Sequence, residues 1–362
     1  MASITTASGR PVPRVGFRAT IQHWQTVHPF IAYVIRRLAI YVFTLWAAIS
    51  VTFVFFHLIP GDPIEAFITS LQQQYVYNVT ASQAVVQHYK ELFGLNGSLW
   101  DQYVSFMGRT FINHNFGPAL LDFPTPATVI VTRALPWTIG LLGFSAIISF
   151  VIGMLLGALI GWTRGSRVSD WATNFSLAFS HVPFYLVALM FIFFFAYQLA
   201  LFPASQAYAA SIAPAFNWAF IKSVVQHGFL PSLSIVFIGV CNWIIGTRML
   251  MVTTLGEDYL TFADAKGLKP NHILTQYAMR NCYLPQIVAF GIGLGYIFNG
   301  NVLVEELFNY PGVGNLFVQA IGILDYDTIQ CIIVLVIFAV LTANLIIDLM
   351  LPFLDPRVKY WK

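Results

Sequence analysis

Acidic residues are the first place to look for chemistry in this 362-residue chain, because aspartate and glutamate together number only 15. Four lie near one another, Glu305, Glu306, Asp325 and Asp327, with no lysine or arginine between the first and the last. Such a group forms either a solvated acidic rim or a contact for a partner protein. Asp348 stands alone inside an apolar run. An ionisable group in that setting either pairs structurally or handles a proton or a solute. It lies seven residues before Asp355, about 10 Å along a helix, so it belongs near the end of its segment. Asn242, Asn299 and Asn301 are amides in apolar surroundings and candidates for lining a solute path. His181, just ahead of Pro183, marks an expected kink, with a packed neutral imidazole as its simplest role. Gly291, Gly293, Gly295 and Gly300 suit close helix packing, with path lining as the alternative.

Enzyme-like patterns are missing. The sequence has no G-x-x-x-x-G-K-[ST] phosphate loop, and no H-E-x-x-H, C-x-x-C or G-x-S-x-G. Cys241, Cys282 and Cys331 are far apart, in no metal spacing, and read as small apolar fillers. Neither a metal site nor a cofactor bound by this chain is expected, and a net charge of +3 without a basic patch argues against nucleic acid.

Composition decides what must position these residues. Hydrophobic residues make up 58% of the chain and charged ones 9%, against about 25% charged in a soluble domain. One core cannot hide so much apolar surface, so the solvent is a lipid bilayer. A spanning helix needs roughly 20 apolar residues. Trimming at prolines and polar clusters predicts six spans, near 38–59, 136–162, 174–202, 230–252, 286–304 and 330–352. Fourteen lysines and arginines then fall on one side and four (Lys90, Arg109, Arg133, Lys222) on the other. The basic side faces the cytoplasm, which puts both tails, 1–37 and 353–362, inside. The first apolar run starts at Leu38 behind five arginines, unlike a signal peptide.

Two loops are long enough to carry structure. The segment 60–135 is expected outside the cell, with short amphipathic helices at 82–93 and 98–112. The loop 253–285, inside the five-helix core 136–352, is expected in the cytoplasm. There Thr254 and Glu257 are spaced as a capping box. Gly267 can close the helix in the left-handed conformation and Pro270 blocks its continuation. A second helix is expected from Asn271 to just before Pro285. The small residues Ala263 and Ala265 permit close approach, either by a docking partner or by neighbouring spans.

The run EDYLTFADAKGLKPNHILTQYAMRNCYLP resembles the EAA loop of ABC importer permeases, in the form found in the dipeptide/oligopeptide (peptide/nickel) permease family. Glu257, Asp258, Tyr259, Ala263, Ala265, Lys266, Gly267, Leu268, Arg280, Asn281 and Pro285 carry the match. LIPGDP (58–63), FGLNGSLWDQY (93–103), HGFLPSL (227–233), VEELFNYPGVG (304–314) and DLMLPFLDPRV (348–358) resemble further family motifs in order. Thr261, Phe262 and Asp264 depart from it, standing where the family often has Arg, Thr and Arg.

The resemblance implies an all-α membrane protein of six transmembrane helices, like a type I importer permease. It also implies a second homologous permease subunit and an extracytoplasmic solute-binding protein. Two cytoplasmic ATPase subunits would bind ATP and magnesium and grip the matched loop residues as a coupling helix. With a binding protein outside, Glu305, Glu306, Asp325 and Asp327 are its candidate contact, and a solvated rim stays the default reading. Peptides are the expected cargo, with oligosaccharides or nickel chelates as alternatives. An ion-coupled secondary transporter is a reading from another class, disfavoured by the lone carboxylate and the lack of an evident repeat.

Overall fold

The computed structural model describes residues 28–58, 97–295, 297 and 301–354. Among these the regular structure is helical, apart from one isolated bridge between Pro118 and Pro126. Helix α1 spans Pro29–Leu58, so it begins nine residues ahead of its expected start. Arg36 and Arg37 do not break it. Arg37 pairs with Asp348 at 2.8 Å and lies over the Tyr33 ring. That pair answers the question of the lone Asp348 in favour of a structural partner. Helix α2, Leu99–Gly108, continues as a π-helical turn, Arg109–Asn113. Ser98 and Asp101 form a reciprocal capping box at its start, and the Ser98 hydroxyl holds the Asp101 carboxyl below its ordinary value. Phe106 packs it onto Leu45, Ile49 and Phe53 of α1. The segment 82–93 and most of LIPGDP lie outside the described residues.

Helices α3, Ala127–Trp162, and α6, Trp218–Thr254, are longer than the expected spans because Pro136 and Pro231 sit inside them rather than at their ends. Proline is tolerated in apolar helices where neighbours re-satisfy the freed carbonyl. Three glycines four residues apart let α3 and α6 touch. A Cβ on Gly157 would lie 2.6 Å from the Ile244 carbonyl oxygen, and one on Gly161 2.6 Å from Met251 Cβ, while Gly153 abuts Trp243. The register rises along both helices together, so α3 and α6 run parallel. A segment between them must therefore return. Helices α4, Arg167–Ser180, and α5, Phe184–Phe191, continued by a π-helical stretch to Gln198, do so. The two arms meet at a 97° bend. The kink expected at His181 is a full break, and His181 is an exposed cap residue rather than a packed one.

Beyond α6 come α7, Asp258–Ala265; a single turn, Pro270–His272, leading through π-helical Ile273–Ala278 into α8, Met279–Gly295; α9, Val302–Leu307; α10, Val313–Gly322; and α11, Tyr326–Leu354. Helix α11 runs antiparallel to α1, with Tyr41 bonded to Thr342 and Phe56 facing Tyr326. It is also antiparallel to α8. A Cβ on Gly295 would meet Ala343 at 2.9 Å, and one on Gly291 would meet Ile347 at 3.6 Å. Packing is thus the role of those two glycines, while Gly293 has no neighbour within 4 Å. By length and composition α1, α3, α6 and α11 can each cross a membrane, and the bent pair α4–α5 makes a fifth crossing if counted as one span. Helix α8, with 17 residues, is shorter.

Candidate functional site

The loop after α6 is built differently from its expected cap. Thr254 is the last residue of α6, and its hydroxyl lies 3.6 Å from Cys282 Sγ. It caps nothing. Glu257 takes the extended N-cap position without a side-chain bond, and Asp258 occupies the first turn of α7, where the helix dipole favours an anion. The expected end is present. Gly267 has φ +73°, its N–H donates to Asp264 O at 2.8 Å, and the Leu268 N–H donates to Ala263 O at 3.4 Å. This pair of bonds is a Schellman closure. Pro270 then starts the next turn, since a first-turn proline has no bond to lose. The helical path runs on through Pro285, which lies within α8 rather than beyond the end of a second helix.

Burial sorts the faces of α7. Leu260 and Ala263 pack inward on Met251, Ile273, Leu274, Ala278, Met279 and Cys282. Tyr259 is half-buried, and its hydroxyl accepts from the Asn281 side-chain nitrogen. Ala263 is 3% exposed, so it holds α7 onto its own chain and cannot be the point of closest approach to a partner. Glu257, Asp258, Ala265, Lys266, Gly267, Arg280, Asn281 and Pro285 are exposed. So is Phe262, at 69%. Its exposure is not legible in the sequence, where Phe262 stands out only as a departure from the family pattern.

At the opposite end of α3 the acidic group is mostly internal. Glu305 is fully buried, Asp325 likewise, and Asp327 is 7% exposed; Glu306 alone faces outward. The expected solvated rim therefore reduces to Glu306. Glu305 accepts N–H bonds from Gly314 (2.7 Å), Asn315 (3.3 Å) and Asn301 (3.4 Å), and the Thr138 hydroxyl bond at 3.0 Å. Burial pushes its carboxyl above the ordinary value, while these donors pull it back. The same burial, with the charge of Glu305, pushes the Tyr310 phenol up to about 12. Asp325 accepts from the N–H groups of Leu120, Leu121 and Thr328 and from the Thr328 hydroxyl. Asp327 packs against Gly117, whose φ of +107° and missing Cβ leave it room. Of the path candidates, Asn301 caps α9, Asn242 is exposed and bonds to Ile238 O, and Asn299 lies outside the described residues. Among the described residues no three His, Cys, Asp or Glu side chains are grouped to hold a metal ion.

Residues 149–360 match the family model described as the binding-protein-dependent transport system inner membrane component. The probable peptide ABC transporter permease protein y4tP of Sinorhizobium fredii is 31% identical over 91% of this chain and 99% of that protein. The oligopeptide transport system permease protein AppB of Bacillus subtilis is 29% identical, with 91% and 99% covered. The glutathione transport system permease protein GsiC of Escherichia coli is 25% identical over the same shares.

Proposed function

From the membership of this chain in the family of binding-protein-dependent transport system inner membrane components, we infer that it is the permease subunit of an ATP-driven importer whose cargo is peptides. It is a multi-pass membrane protein. Six crossings account for its connectivity, with α8 and the turns that precede it as the fifth. In support, α8 lies antiparallel to α11 and leads from the Thr254 end toward the Glu305 end. Both termini then face the cytoplasm, and α9–α10 and the first long loop lie outside. Peptide as cargo follows the names of the relatives, which include peptide, oligopeptide and glutathione permeases.

The observation that carries the mechanism is the two-faced α7. Its inner face is packed on α6 and α8, and its outer face is bare. A cytoplasmic ATPase that grips the outer face can therefore move the ends of two spans together. The chain has no phosphate loop of its own, so ATP and magnesium belong to two such partner subunits. A second permease subunit completes the path, and an external binding protein delivers the solute, with Glu306 as a contact. Glu257, Asp258, Ala265, Lys266 and Gly267 form the docking surface, while Tyr259, Ala263, Arg280, Asn281 and Pro285 belong to the transmission path behind it.

The test is Ala265→Trp in the assembled complex. It should leave the chain folded in the membrane and abolish both ATPase retention and uptake. Normal retention and uptake would mean that α7 is not the coupling element.

A further inference from the structure

Helix α7 has eight residues spaced at about 100° around its axis, and its buried residues, Leu260 and Ala263 with half-buried Tyr259, occupy one side. On that wheel Thr261 and Ala265 point directly away from the chain, with Asp258 and Phe262 beside them. Phe262, 69% exposed, is the one aromatic side chain that this helix turns outward, and aromatic side chains are the residues that anchor protein contacts. Two sources could cover it, a membrane surface or a protein. Asp258 and Lys266, four residues before and after Phe262, share its side of the helix, while Glu257 and Asp264 are exposed on the other flank. With Lys266 set against Glu257, Asp258 and Asp264, the helix and its caps carry a net charge of −2, which disfavours approach to an anionic cytoplasmic leaflet and favours a protein groove with basic residues.

We propose that Phe262 is the anchor by which the ATPase holds α7. The partner groove takes the ring in an apolar pocket and admits Ala265 closely. It presents lysine or arginine toward Asp258 and Asp264, so the surface selects an ATPase of that chemistry over one that matches a basic coupling helix. The inference rests on α7 being the docking element and adds the residue and the charge pattern that choose the partner. Aromatic anchors in pockets dominate protein interfaces, whereas rim charges tune rate and salt dependence.

The experiment measures binding of the purified ATPase to the detergent-solubilised permease pair, for wild type, Phe262→Ala, Phe262→Leu, Asp264→Lys and Gly267→Val. Phe262→Ala should weaken binding about 30-fold with an unchanged melting temperature, and Phe262→Leu should restore most of it. Asp264→Lys should weaken binding at low salt, with a smaller deficit at high salt. Binding by Phe262→Ala within about twofold of wild type, while Gly267→Val fails to bind, would overturn the anchor and leave the docking helix standing. Wild-type binding by both would overturn both. A lowered melting temperature for Phe262→Ala would also overturn the anchor, since the ring would then be packing within its own chain.

Discussion

A carboxylate as deeply buried as Glu305 must be met by donors, or its desolvation costs several kcal/mol. Three backbone N–H groups and the Thr138 hydroxyl meet it, and two of those N–H groups open α10. The side chain thus ties α9, α10 and α3 together. Thr138 is used twice, since its oxygen also accepts the Val313 N–H at 2.7 Å. Glu305→Gln should lower stability by on the order of 2 kcal/mol, because charge-assisted bonds to buried donors are lost. Glu306→Gln, at an exposed neighbour, should change it by less than about 0.5 kcal/mol. Thermal melting of the two detergent-solubilised variants checks this, and equal melting temperatures would contradict it. Asp348 is a different case, half-exposed and paired with Arg37. A pair of that kind contributes little, so Asp348→Asn should change uptake by less than about fivefold. A larger loss would assign the carboxylate a transport role.

Helices α3 and α6 depend on glycine for their contact. Gly157→Ala would force a methyl against the Ile244 carbonyl and Thr247 and should destabilise by about 1–3 kcal/mol. Gly140→Ala and Gly143→Ala on the same helix meet open space and should be neutral or slightly stabilising. Melting of the three variants separates these outcomes, and a neutral Gly157→Ala would mean that the helices are not in close contact. The stripe Gly153, Gly157, Gly161 is legible in the sequence as a four-residue repeat, though less dense than the glycines of α8. Apolar runs located the four long apolar helices, because lipid imposes length, but α1, α3 and α6 start nine to twelve residues ahead of the expected spans. Their ends were misjudged at Pro136, Pro231 and Pro285, since proline stops a helix in water more reliably than among packed apolar neighbours. The closure at Gly267 was legible because only a left-handed residue fits it. The orientation of Ala263 was not, because an eight-residue helix has too few turns for a periodic signal. The burial of the acids is not legible because three of their donors, Thr138, Leu120 and Leu121, are more than 160 residues away in the chain.

For the molecule as a whole, the parallel run of α3 and α6 requires the chain to return between them, and the pair α4–α5, bent by 97°, lies on that return; the proposed topology counts it as one crossing. Reporter fusions near 167 and 270 should therefore read cytoplasmic, and fusions near 110 and 315 external. A cytoplasmic signal at 110 would contradict the proposed orientation. In the proposed function this chain moves solute only when partner ATPases drive it. The most direct test is uptake of a labelled oligopeptide into proteoliposomes that hold this chain, the second permease and the two ATPases, with binding protein and peptide on the external side and ATP with magnesium supplied to the ATPase side. Uptake should require both ATP and binding protein, and this subunit alone should show neither uptake nor ATP turnover. Peptide accumulation by this chain alone, driven by an imposed proton or sodium gradient without ATP, would contradict the claim.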